Sequence, residues 1–331
     1  MPFASIDWLA AVNERMRRRP AWFLLAFLIV NGVHGTDAHD FAILAARPFA
    51  LHPDVERQFM HSSPLTFLIG APLARLVGVD AAFPMVSAAG FLLVAFALTR
   101  FLRRFPAREA ETIGIVLLSS PLLLVLTRWI GKSDPFLVAF YLLLAADPRS
   151  PLTKGALATA IVLCHREIGT IVLGVHLVLF RRDAVPVLAG LAAGHAALLA
   201  YLFELLPAPP RSRAQFAEGR ALELLEALSM NPIVHIAFAL NWFWIFLAIH
   251  LGRSRERVTA VALLIVFVAA TVAFDFTRVM AVCALPIIVH VAVRLAPDAP
   301  PLLASGPFPL LFLAQFQIEG AGWVHDWSWL R

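Results

Sequence analysis

The chain of 331 residues is 60% hydrophobic and 15% charged, with a mean hydropathy of +0.79, whereas a soluble domain carries roughly 45–50% apolar and about 25% charged residues. That gap excludes an ordinary cytosolic enzyme, a disordered chain and a nucleic-acid module, and the net charge of +5 has no continuous basic face to carry it. The two cysteines and the lack of a CxxC pair exclude a disulfide scaffold or a zinc site.

From the N-terminus, Ile6, Trp8, Leu9, Val12 and Met16 fall at helical spacing and predict a helix over 1–19 lying in the cytoplasmic interface. Apolar runs follow near 20–35, 83–101, 111–130, 135–147, 153–164, 168–181, 184–206, 232–251, 257–274, 277–295 and 301–318. At roughly 20 apolar residues per crossing these are about eleven spans, the fourth to sixth short enough to be half-spans or tilted elements. The first run has no small-residue cleavage site after it and reads as an anchor helix. The expected fold is therefore all-α: a polytopic transmembrane bundle forming a single membrane domain over 1–331. Residues 35–82 make a first outer loop, in which the segment from Pro64 to Gly78 is an interfacial helix. Residues 207–231 make a second long loop on that side.

Basic residues set the orientation. Arg15, Arg17, Arg18 and Arg19 precede the first run. Arg100, Arg103, Arg104 and Arg108, Arg149 and Lys154, Arg181 and Arg182, Arg253, Arg255 and Arg257, and Arg294 mark every second loop thereafter. With the N-terminus in the cytoplasm all of them fall inside, and the C-terminus lies outside.

The same parity gathers the remaining polar residues outside: Asp37, His39 and Asp40; Arg128, Lys132, Ser133 and Asp134; His165, Arg166 and Glu167; Asp275 and Arg278; Trp323, His325 and Asp326. A charge at the bilayer centre costs about 2.5–3.5 kcal/mol on insertion scales, so such groups persist when paired or when lining a wet cavity. Each cluster also has a plain reading. Arg166 with Glu167, and Asp275 with Arg278 at i, i+3, make local ion pairs. Arg128 and Lys132 snorkel. Asp134 before Pro135 starts a helix, the segment from Asp37 to Asp40 caps one, and His325 joins an aromatic belt. Gly190 and Gly194 form a close-packing pair, and Cys164 and Cys283 are small buried residues.

The run Gly35-Thr36-Asp37-Ala38-His39-Asp40-Phe41-Ala42-Ile43-Leu44-Ala45-Ala46-Arg47, followed by His61-Ser62-Ser63-Pro64-Leu65-Thr66-Phe67, resembles the start of GT-C superfamily glycosyltransferases. Leu76-Val77-Gly78, Ser119-Ser120-Pro121 and the stretch from Arg128 to Asp134 fit further short elements, so the resemblance covers about the first 150 residues. Ser63-Pro64 stands where the superfamily has paired prolines, and Asp37-Ala38 where it has an Asp-Glu pair. The resemblance implies transfer of a sugar from a polyprenyl-phosphate carrier to a glycan, lipid or protein acceptor on the outer face of a bacterial cytoplasmic membrane. It points to Asp37 as general base, with Asp40 second. Glu167 is a further base candidate, being a carboxylate set in apolar sequence. Arg128, Lys132, Arg166 and Arg278 are candidates for the lipid phosphate, with His165 as a hydrogen-bond donor and Asp275 in the same binding set. No cofactor beyond the lipid-linked donor and no firm metal set is expected, although Asp37, His39 and Asp40 are capable of ligation; membrane lipid is the expected surrounding, and nucleic acid is not a partner. Two rivals remain: a secondary transporter, and a polymerase or ligase of lipid-linked glycans.

Overall fold

The structure is a computed structural model, and it describes residues 11, 26–30, 38–128, 133–212, 215, 232–254, 256–271, 276–298, 310–313, 317–319 and 322–324. Among them every element is helical except one short hairpin, β1 (Gln317–Glu319) paired antiparallel with β2 (Gly322–Val324). Residues 26–30 are helical, whereas the interfacial helix expected over 1–19 lies outside the described residues apart from Ala11. Most of the run at 301–318 also lies outside them; its described parts hold a 3-10 turn at Leu310–Leu313 and β1.

The segment 38–78 is compactly folded. Helix α1 (Ala38–Ala46) is followed by a 3-10 helix (Val55–Ser62), then α2 (Leu65–Val77). Gly78 ends α2 with φ 83, a left-handed conformation that a β-carbon disfavours, and the chain turns directly into α3 (Val79–Leu102). The helix expected between Pro64 and Gly78 is thus α2.

Several apolar runs are broken where the local sequence demands it. The run at 111–130 divides into α4 (Ala107–Ser119) and α5 (Leu122–Arg128), because Ser120 is extended and Pro121 follows it. Helices α6 (Asp134–Ala145), α7 (Pro151–Cys164) and α8 (Arg166–Leu179) are short. Ser150 caps α7 by accepting from the Thr153 N–H, with Pro151 in its first turn. Helix α9 (Ala184–Ala200) runs on into a π-turn at Tyr201–Leu205. The run at 232–251 divides at Asn241, whose φ is 49, into α10 (Pro232–Leu240) and α11 (Phe243–Ser254). Helix α12 (Arg257–Thr271) precedes a pair, α13 (Phe276–Cys283) and α14 (Leu285–Leu295), bent by 51°.

Among the described residues two helical stretches, Val79–Leu102 and Arg181–Leu205, are long and apolar enough to cross a membrane, and the bent α13–α14 pair makes a third if it counts as one. Leu92, Phe96, Leu188, Leu199 and Phe203 on the first two are exposed. An outward-facing apolar surface of this kind belongs in lipid. Helix α14 is instead buried nearly all round, which makes it the centre of the bundle. Helix α9 packs along α7, and α3 along α6. A β-carbon on Gly190 would lie 2.2 Å from the Gly155 carbonyl oxygen, and one on Gly194 2.7 Å from the Val162 β-carbon, so the predicted close-packing pair is the α9–α7 contact.

Polar contacts sort the bundle into two ends. At one end, Arg104 bonds the Ala145 carbonyl, and Lys154 bridges Asp147 and Asp183, each at 2.5 Å. These are segments that follow α3, α6 and α8. The Lys154 hydrogen bond holds the Asp147 carboxyl below its usual range. At the opposite end, the Tyr201 hydroxyl donates to the Pro48 carbonyl at 2.7 Å, and the Arg211 N–H donates to Gln58 Oε1 at 3.1 Å. The first outer loop is therefore fastened to the far end of α9.

Candidate functional site

The end that carries the first outer loop holds two polar assemblies. In the first, Asp40 in the first turn of α1 is buried, with 4% of its surface exposed. Its Oδ2 accepts from Arg57 Nη1, and its Oδ1 lies 3.4 Å from His52 Nε2. The 3-10 helix presents Arg57, which is half-exposed and also faces Asp54. Behind this pair His61 is fully buried. Its Nε2 accepts from the His52 N–H at 3.3 Å and its Nδ1 lies 2.8 Å from the Tyr201 hydroxyl. Since that hydroxyl gives its single proton to Pro48, Nδ1 must carry the proton and His61 is neutral. Burial, with His52 as a lesser cause, pushes its pKa down to about 4.

The second assembly is made by helix ends. Asp134 is fully buried at the start of α6 and takes a two-pronged bond from Arg278 near the start of α13, with Nε to Oδ2 at 2.6 Å and Nη2 to Oδ1 at 3.1 Å. Asp134 lies just inside the helix; its neighbour Ser133 holds the cap position and makes no side-chain cap bond. The helix-start role read from the sequence is thus secondary to the ion pair. His165 caps α8, its side chain accepting from the Ile168 N–H. Arg166 closes on Glu167 Oε1 through Nε at 2.9 Å and Nη2 at 2.6 Å, which is the local pairing the sequence allowed. Lys154 near the start of α7 meets Asp147 just past the end of α6, so the start of α6 and the start of α8, which follows α7, lie together at the other end, and Arg278 joins them through Asp134.

Of the residues read from the sequence, the structure brings Asp40, His165, Arg166, Glu167 and Arg278 to this end. His39 is exposed on α1. Asp37, Lys132 and Asp275 lie outside the described residues, as does the side chain of Arg128; the pairing of Asp275 with Arg278 therefore falls there too. His52, Arg57, His61 and Tyr201 were missed as site residues. The signal for three of them was their position in the loop that carries the resemblance, with His61 inside the quoted motif.

One further group stands at the opposite end: His250, Glu256 and His290, whose ligand atoms all lie within 4.8 Å of one another. The argument against zinc rested on cysteines, and this His–Glu set has none.

Chemically, the two assemblies offer carboxylates each matched to a guanidinium, with Arg57, Arg166 and Glu167 partly open to solvent. Such an arrangement suits an anionic ligand that displaces a carboxylate from arginine, because the planar fork of arginine donates two parallel bonds to a carboxylate or a phosphate. Comparison with protein-family models, curated proteins and solved structures finds no match to the chain.

Proposed function

We propose that the chain is a membrane glycosyltransferase of GT-C type, moving a hexosyl or pentosyl group from a polyprenyl-phosphate carrier to a glycan, lipid or protein acceptor. In this reading about eleven spans cross a bacterial cytoplasmic membrane with the N-terminus inside, and the assemblies around Asp40 and Arg278 face outward. Asp37, or Asp40 in its place, removes the proton from the acceptor hydroxyl. The acceptor oxygen then bonds to the anomeric carbon while the bond from that carbon to the phosphate oxygen breaks, and the phosphate leaves with the electron pair. Arg166, Arg128 and Lys132, with His165 as a hydrogen-bond donor, steady the charge growing on that phosphate.

The observation that supports this most is the folding of the resembling loop. The loop is fastened to the end of α9, and it places Asp40 against Arg57 at the end of the bundle where α8 starts with His165, Arg166 and Glu167. The expected result for Asp37→Asn is a folded, membrane-inserted chain with no sugar transfer. It is measured with labelled polyprenyl-phosphate sugars and membranes holding the variant. Transfer at the wild-type rate would remove Asp37 as base. In the same assay Arg57→Ala should raise the KM for the donor more than it lowers kcat.

The bent α13–α14 pair favours a second reading, a secondary transporter, since broken helices near mid-membrane are typical of those proteins. Reconstituted vesicles separate the two. A transporter moves solute across the bilayer without breaking the glycosyl phosphate bond; the transferase breaks it with no flux.

A further inference from the structure

At the end of the bundle opposite the first outer loop, three side chains from three segments turn their donor atoms toward a common centre. His250 lies in the last turns of α11, Glu256 in the link before α12, and His290 in the middle of α14. His290 Nε2 is 2.9 Å from Glu256 Oε2, and His250 Nε2 is 3.4 Å from the same oxygen. A tetrahedral zinc with ligand bonds of about 2.0–2.1 Å sets its donors about 3.3 Å apart; the two sides that meet at Glu256 are near that size, and the two imidazole nitrogens lie within 4.8 Å of each other.

The surroundings fit as well. Both imidazoles are buried, with 2% and 7% of their side chains exposed, while the Glu256 side chain keeps 28% and leaves an approach from solvent. Arg294 Nε, 3.9 Å away, faces the other carboxylate oxygen, Oε1, and leaves Oε2 to the imidazoles. The Thr259 hydroxyl donates to Oε2 at 3.3 Å and lies 3.5 Å from His250 Nε2, and the Ser254 hydroxyl lies 3.4 Å from that nitrogen. The rings are held square to one another, and the Phe180 ring packs edge-on against His290. Arg253, a further cation close by in sequence, is turned to the Asp298 carbonyl.

We propose that His250, Glu256 and His290 bind one divalent transition-metal ion, zinc by ligand type, clasping α11, the start of α12 and α14. Three protein ligands leave a fourth position to water on the solvent side. Two neutral imidazoles and one carboxylate put a single negative charge against the dication, and Arg294 adds a further positive charge beside it. Two imidazole nitrogens facing one carboxylate oxygen can share protons instead of a metal; that is the outcome the experiment must separate. The proposal is independent of the glycosyltransferase reading, because it concerns the other end of the molecule and none of the residues invoked for transfer.

The full chain in detergent, stripped with a chelator and equilibrated with buffered zinc, should retain one zinc per chain by elemental analysis. Cobalt in place of zinc should give visible d–d bands of a four- or five-coordinate site. His250→Gln with His290→Gln should abolish both signals, and Glu256→Gln should weaken zinc retention by more than the roughly 10–100-fold that losing a hydrogen-bonding neighbour of a ligand costs. Failure of the wild-type chain to hold zinc, or equal retention by the double variant, overturns the proposal. So does loss of zinc in His39→Ala with retention in the double variant, which would move the site to the first outer loop. If the double variant does not fold, the wild-type chain still decides: zinc must raise its melting temperature and cobalt must produce the bands, and the absence of either counts against the site.

Discussion

Among the described residues the Asp134–Arg278 pair joins two buried charges through a two-pronged bond. Both side chains are buried, and removing one partner leaves an uncompensated charge at a cost of about 3–5 kcal/mol. Arg278→Ala should therefore lower the melting temperature markedly, and Arg278→Lys should recover little, because an ammonium cannot make the two-pronged bond. Asp134→Leu combined with Arg278→Met should be better tolerated than either single change; thermal unfolding in detergent reads all five variants. The stability loss also separates roles, since a phosphate-binding arginine without a structural partner would cost affinity alone. His61 carries the second residue-scale expectation. Its folded pKa of about 4 lies below the unfolded 6.5, so the unfolded chain binds more protons between those values. Its contribution, at most about 3 kcal/mol, is complete above pH 6.5 and is lost as pH falls toward 4. His61→Gln should flatten the loss of melting temperature over that window, and an unchanged slope would contradict the neutral tautomer.

Among the elements, the α7–α9 contact depends on absent side chains. Gly190→Leu should force the helices apart and destabilise by about 1–3 kcal/mol or more, whereas Gly174→Ala, where an added β-carbon meets nothing within 4 Å, should be neutral or stabilising. Unfolding temperatures of the two variants test the contrast. This contact was legible in the sequence because spacing alone puts Gly190 and Gly194 on one helical face. Helix α2 was legible too: Pro64 and Gly78 mark its limits, and parity denied it a crossing. The break at Asn241 was not, because the run around it is apolar without interruption and only the backbone shows the positive φ. Nor was the partner of Arg278, which lies 144 residues away, while Asp275 is three residues away and drew attention by nearness. Helical periodicity reports what is local. The His250–Glu256–His290 triangle, closed across 34 residues, needed the packing of α11 against α14 to be seen.

For the whole molecule, every inter-segment polar contact described at the two ends joins positions that loop parity places on one side. Arg104 meets Asp147, Lys154 meets Asp183, and Tyr201 meets Pro48. With Cys164 and Cys283 buried, cysteines introduced at the exposed positions Glu56 and Arg182 give clean reporters. A membrane-impermeant thiol reagent should label Glu56→Cys in intact cells and Arg182→Cys only after permeabilisation. Labelling of both from outside would overturn the orientation in the proposed function.

The Tyr201 bond to Pro48 spans 153 residues of chain. A ribosome adding about 5–20 residues per second takes about 8–30 s to cover that interval. During that time the first outer loop has already emerged, yet its anchor has not been synthesised. His61 has no hydroxyl to meet, and Asp40 and Arg57 have only their own segment to hold them. The loop must therefore wait, half-assembled, for a later helix to arrive. Truncated nascent chains ending before and after residue 201 should differ sharply in how readily protease cuts near Pro48.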